Sequence, residues 1–119
     1  MSSPARRRHL VLAIVATDDT FRLVEARGER LWVGRCIFCK RAITVSPAGD
    51  LLSGATLEHI LSRHHGGDDR VDNLALACRG CNHEKGMRHD AKKRGDARAA
   101  EVVEQLRRTR RERWRTPPS

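Results

Sequence analysis

Apolar positions along this chain come in short bursts between charged stretches, and their spacing changes character several times. Leu10, Ile14, Thr17, Phe21 and Val24 recur at intervals of three and four, which predicts a helix over residues 9–27 stopped at Gly28. Leu31-Trp32-Val33 reads as a short strand. Ala42-Ile43-Thr44-Val45 reads as another, with Pro47-Ala48-Gly49-Asp50 as a turn. The return through Ala55-Thr56-Leu57 is its expected hairpin partner and delivers Glu58 and His59 at its end. Residues 60–72 are polar and read as loop, and Asn73-Leu74-Ala75-Leu76-Ala77 is a short apolar segment. From Asn82 to Arg88 a helix is expected to begin, which completes a strand–strand–helix unit. Ala99, Val103 and Leu106 mark a further helix near the C-terminus. Residues 1–9 and Thr116-Pro117-Pro118-Ser119 are expected to be loose.

These elements suggest an α+β fold in one small domain. Residues 1–30 form a basic segment and helix, 31–90 a central unit, and 91–119 a basic helix with a disordered end. The apolar run Leu10–Ala16 is too short to span a bilayer. Arg6-Arg7-Arg8 before it resembles a signal peptide, but the run meets Asp18-Asp19 without a small-residue cleavage site, so export is not expected.

Composition changes the picture in two ways. Only four aromatics are present (Phe21, Trp32, Phe38 and Trp114), and 33% of the chain is charged, so the core is thin and a staple is expected. Cys36-x-x-Cys39 and Cys78-x-x-Cys81 could supply it as two disulfides or as one tetrahedral zinc. Paired cysteines on tight knuckles direct their sulfurs at one point, which favours zinc and, with reduced thiols, a cytoplasmic setting. The net charge of +9 and pI near 10.6 favour a polyanionic partner, most simply nucleic acid. Residues 87–119 carry eleven Lys/Arg against five Asp/Glu, so most of the excess lies there, on a helix suited to phosphate contacts.

The densest chemistry lies in Glu58-His59-Ile60, Gly66-Gly67, Asp72-Asn73-Leu74 and Cys78-x-x-Cys81-Asn82-x-x-Lys85-Gly86. This run resembles the HNH endonuclease motif, in the branch that carries a four-cysteine zinc, and the resemblance covers residues 36–90. It implies a ββα-metal core stapled by a four-cysteine zinc site and flanked by N- and C-terminal helices. It also implies hydrolysis of DNA phosphodiesters with one divalent ion, magnesium or manganese. His59 would be the general base, Glu58 and Asn82 the ligands of that ion, and Asn73 the residue that ties down the loop. Cys36, Cys39, Cys78 and Cys81 would hold the zinc. Glu58 stands where aspartate is commoner, Ser62 where proline is frequent, and Asn82 where histidine is the alternative.

The residues support this chemistry independently. A histidine is the side chain whose ordinary pKa lets it take a proton near neutrality. A hard ion held by one carboxylate and one amide oxygen keeps room for water and phosphate. Adjacent strand residues face opposite sides, so Glu58 and His59 share a site only if a bulge or the strand end redirects one of them. A zinc-containing nucleic-acid-binding module without catalysis, or a subunit of a larger nuclease complex, would use much the same sequence.

Overall fold

Helix α1 (Pro4–Thr17) starts within the segment expected to be loose, because Ser3 and Pro4 form a start signal. The Ser3 hydroxyl accepts the Arg6 N–H at 3.1 Å in the computed structural model, which describes residues 3–117. The loose ends expected at Met1-Ser2 and Pro118-Ser119 lie outside the described residues.

The single helix expected over residues 9–27 ends at Thr17. Asp18 Oδ1 accepts both the backbone N–H and the hydroxyl of Thr20, at 2.9 and 2.8 Å, a local turn that competes with the helix. The chain then enters β1 (Arg22–Ala26), which pairs antiparallel with β2 (Glu29–Arg35). Arg27 and Gly28 both have positive φ, 53° and 77°, so Gly28 belongs to a two-residue hairpin turn and is not a helix stop. Leu23 and Val24 are 38% and 40% exposed, so Val24 kept helical spacing without lying on a helix.

Strand β3 (Ala42–Val45) pairs with β2 on one side and with β4 (Leu51–Leu52) on the other, giving the sheet order β1-β2-β3-β4. The return strand expected as one piece is therefore two. Ser53 and Gly54, at φ 50° and 77°, turn the chain out of this sheet. Strand β5 (Ala55–His59) pairs instead with β6 (Leu74–Cys78) in a separate two-stranded sheet. Helix α2 (Arg79–Lys85) follows β6 directly, starting three residues before Asn82, and continues as a π-turn over Gly86–Asp90. Thus β5, β6 and α2 are the strand–strand–helix unit. Helix α3 (Ala97–Glu112) buries Ala99, Val103 and Leu106, as their spacing predicts.

One apolar cluster joins these parts. It draws on Val11 and Ile14 of α1, Ile43 and Val45 of β3, Leu74–Ala77 of β6, and Val103 and Leu106 of α3. Arginines complete the seam. Arg110, 1% exposed, donates to Leu74 O and Thr17 O, both at 2.9 Å, and to the Thr17 hydroxyl. Arg115 donates to Val15 O and Ala16 O. The end of α1 therefore has its free carbonyls capped by guanidinium groups from the far end of the chain. Part of the C-terminal positive charge thus has an internal structural use. No helix among the described residues is long and apolar enough to cross a membrane.

Candidate functional site

Cys36 and Cys39 follow β2, Cys78 ends β6, and Cys81 lies in the first turn of α2. Their four sulfurs all lie within 4.8 Å of one another, and Cys39 Sγ is 3.8 Å from Cys78 Sγ. A tetrahedron with Zn–S bonds of about 2.3 Å has edges of roughly 3.8 Å, whereas a disulfide needs about 2.05 Å. All four cysteines are free thiols. Burial pushes the Cys36 thiol up, and the backbone N–H groups of Phe38 and Cys78, at 3.4 and 3.3 Å from its Sγ, oppose that in part. Burial, and then the sulfurs of Cys78 and Cys39, push the Cys81 thiol well up, so a central cation is needed for all four to ionise together. The set fits zinc, with a closed shell that has no position for water.

The other candidate residues lie on β5 and around it. In-register pairing of Glu58 with Ala75 and of His59 with Leu74 leaves β5 without a bulge, so only the strand end, where His59 is the last residue, can turn the two side chains toward one site. His59 is part-exposed, and its Nε2 lies 2.8 Å from Asp69 Oδ1. Asp69 also accepts Arg63 at 2.7 Å and Arg6 at 3.1 Å. Hydrogen bonds from His59 and then Arg63 hold its carboxyl far below the usual range. The imidazole thus has an anionic partner flanked by two arginines.

Asn73 fixes the loop that carries Asp69. Its Oδ1 accepts Leu61 N–H at 2.9 Å, and its Nδ2 donates to Leu61 O at 3.0 Å and Asp68 O at 2.8 Å. Gly67 lies against the same carbonyl, where a Cβ would sit 1.7 Å from Leu61 O and 3.0 Å from Asn73 Nδ2. Gly67→Ala must therefore displace backbone, with an expected loss of about 1–3 kcal/mol. Urea unfolding at fixed zinc content measures it, and an unchanged midpoint contradicts the tight clamp.

Glu58, 2% exposed, faces α2, where its Oε1 meets Lys85 Nζ at 2.9 Å. Lys85 also donates to Asp90 at 2.7 Å and to the His59 carbonyl at 3.0 Å. Asn82, one turn before Lys85, donates its Nδ2 to Leu57 O at 3.4 Å, which leaves its Oδ1 for another partner. Glu58 Oε2 is buried with no hydrogen-bond partner. One ammonium shared by two carboxylates leaves a negative charge uncompensated, and that charge and the orphan oxygen both suit a cation.

Burial first, with Asp90 adding and Lys85 opposing, pushes the Glu58 carboxyl up to about 7. Its folded pKa lies above the ordinary 4.5, so its contribution to stability is full below that value and is lost as pH rises through 7. Glu58→Gln keeps the shape without the titration. In magnesium-free buffer the variant is expected to gain on the parent chain by about 3 kcal/mol between pH 4.5 and 8, at 1.36 kcal/mol per unit. A stability difference that stays flat with pH in paired unfolding curves would contradict the desolvated carboxyl.

This segment also matches a known family: residues 36–88 fit the family model described as HNH endonuclease. Residues 36–88 are an HNH domain. Neither the curated proteins nor the solved structures give a match to the chain. The family, together with the sulfur cluster, assigns the HNH domain to nuclease or nucleic-acid-binding proteins of the zinc-containing kind.

Within the HNH domain the structure brings Glu58 to Lys85, which also holds Asp90, His59 to Asp69, Asn73 to the loop, and Asn82 to the backbone of β5. Sequence reasoning missed Asp69 and Asp90. Asp69 sits in a polar loop after Gly66-Gly67, where neighbouring Asp68 looks equivalent until the turn is built. Asp90 becomes a partner only because the π-turn carries it back to Lys85.

Proposed function

We propose that the HNH domain is a metal-dependent endonuclease that hydrolyses DNA phosphodiester bonds, with His59 as general base. The observation that carries this reading is the part-exposed imidazole at the end of β5, tied through Nε2 to an ionised Asp69. With Nε2 donating to Asp69, Nδ1 is the acceptor for a proton from the attacking water, and Asp69 compensates the charge the ring gains. Arg63 and Arg6 set positive charge beside the place a phosphate would enter.

Glu58 and Asn82 would hold the ion, magnesium or manganese, which would supply positive charge to the phosphoryl and leaving oxygens. The orphan Glu58 Oε2 and the free Asn82 Oδ1 support this donor set. Lys85 competes for Glu58, but it can keep Asp90 and the His59 carbonyl when the ion binds. The reaction is assigned to the cytoplasm, where a thiolate zinc site persists.

The test is nicking of supercoiled plasmid by the zinc-loaded chain. Open circles should accumulate with added magnesium or manganese and not without. A second reading is favoured by the Lys85 ammonium already seated on Glu58: a zinc module that binds DNA without cutting it. Salt-sensitive binding with intact plasmid in every metal would select that reading.

A further inference from the structure

One concavity among the described residues shares Gly67 and Asn73 with the site above and extends away from it along α3. It is an open groove of about 1100 Å³ between α3 and the loop over residues 66–73, bordered by Asp68, Arg70, Val71, Arg107, Arg111 and Trp114. Its size exceeds the roughly 300–1,000 Å³ of a small-molecule pocket, which suits a length of chain over a compact metabolite.

Trp114 is one of only four aromatic residues, yet it is 40% exposed at the groove edge. It is also held rigidly. Its backbone pairs with Asp18, its backbone N–H donates to Arg111 O, and its ring lies 4.7 Å from the guanidinium carbon of Arg110. Arg110 is itself fixed by bonds to Leu74 O and Thr17 O. One face of the indole therefore has a fixed cationic backing, while the rest of the ring borders the groove. Arg107 and Arg111, one turn apart on α3, add two guanidinium groups to the same wall. Arg107 meets Glu104 Oε1 at 3.4 Å in an exposed, solvent-screened pair, whereas among the described residues no ion pair engages Arg111. The opposite wall belongs to the loop that positions His59: Asp68 and Arg70 border the groove, and Asp69 between them bonds the imidazole.

We propose that this groove binds single-stranded DNA, with an unpaired base stacked on Trp114 and the backbone phosphates on Arg107 and Arg111. A rigid exposed aromatic beside arginines is the combination that recognises unstacked bases without reading sequence. A duplex keeps its bases stacked inside and offers the indole no face. The shared loop would place a strand leaving the groove beside His59, so the assignment rests on the nuclease reading for its consequence in cleavage but not for binding itself.

The test uses the full zinc-loaded chain carrying Trp32→Phe, so that Trp114 is the only tryptophan. It is titrated with a twelve-nucleotide oligothymidylate, without added divalent ion. Saturable quenching of Trp114 fluorescence is expected, with affinity about tenfold weaker in Trp114→Ala, measured on wild-type Trp32 by anisotropy of a labelled strand. Trp114→Phe should restore most of that affinity, which separates loss of stacking from loss of fold. A fully paired duplex of equal length should show no dependence on residue 114. Equal single-strand affinity of Trp114→Ala and the parent chain overturns the proposal, as does binding that leaves Trp114 fluorescence unchanged. If plasmid stays intact while the groove binds as described, the nuclease reading fails and the groove stands. If plasmid is nicked and residue 114 has no effect, the reverse holds.

Discussion

Release of the zinc is expected to unfold the HNH domain and to end cleavage at any magnesium concentration. The four sulfurs come from the knuckle after β2, the end of β6 and the start of α2, so the ion joins both sheets and the helix that carries Asn82. Structural zinc contributes about 10–16 kcal/mol in zinc-finger peptides, against about 5–15 kcal/mol for the whole stability of a typical domain. A core that buries Phe21 fully and Trp32 and Phe38 only in part has little to offset that loss. Replacing Cys39 or Cys78 by serine should act in the same direction. Circular dichroism before and after zinc release, with readdition of zinc, follows the effect. A zinc-free chain that melts at the parent temperature and still nicks plasmid would show that the metal is not the scaffold.

His59→Ala is expected to slow single-turnover nicking by about 10²–10⁴-fold, the usual contribution of a positioned base. The imidazole is part-exposed and lies outside the apolar cluster, so zinc content, unfolding midpoint and DNA affinity should hold. Asp69→Asn is the companion measurement. It keeps a hydrogen-bonding group against Nε2 but removes the charge that compensates the protonated ring. In the proposed mechanism Asp69 would act through His59 as a positioning residue, so its loss should displace the pH dependence of the cleavage rate as well as lower its maximum. A His59→Ala chain that cuts at the parent rate would remove the mechanism.

Much of the site was legible because its chemistry is carried by rare residues at short spacing. Two Cys-x-x-Cys pairs converge on one point whatever the chain does between them, and the structure gathers them as expected. The helix over Ala99, Val103 and Leu106 was equally legible, because a basic surface leaves its apolar stripe unmistakable. Where the sequence misled, local bonds decided against periodicity. Asp18 turned the chain where helical spacing ran on through Phe21 and Val24, and Ser53-Gly54 moved β5 into a second sheet. The partners of Glu58 and His59 were the hardest to see. Lys85, Asp90 and Asp69 are ordinary charged residues in the sequence, and only the packing of α2 and the clamped loop makes them specific.

The proposed mechanism requires a sulfur-bound zinc that serves as framework and a second, exchangeable ion that Glu58 and Asn82 would hold for the His59 imidazole to act beside. Anomalous diffraction from a crystal of the zinc-loaded chain soaked in manganese tests this most directly. A manganese peak is expected between the Glu58 carboxylate and Asn82 Oδ1, distinct from the zinc peak among the four sulfurs. A zinc peak alone at saturating manganese, with Lys85 still seated on Glu58, would contradict it.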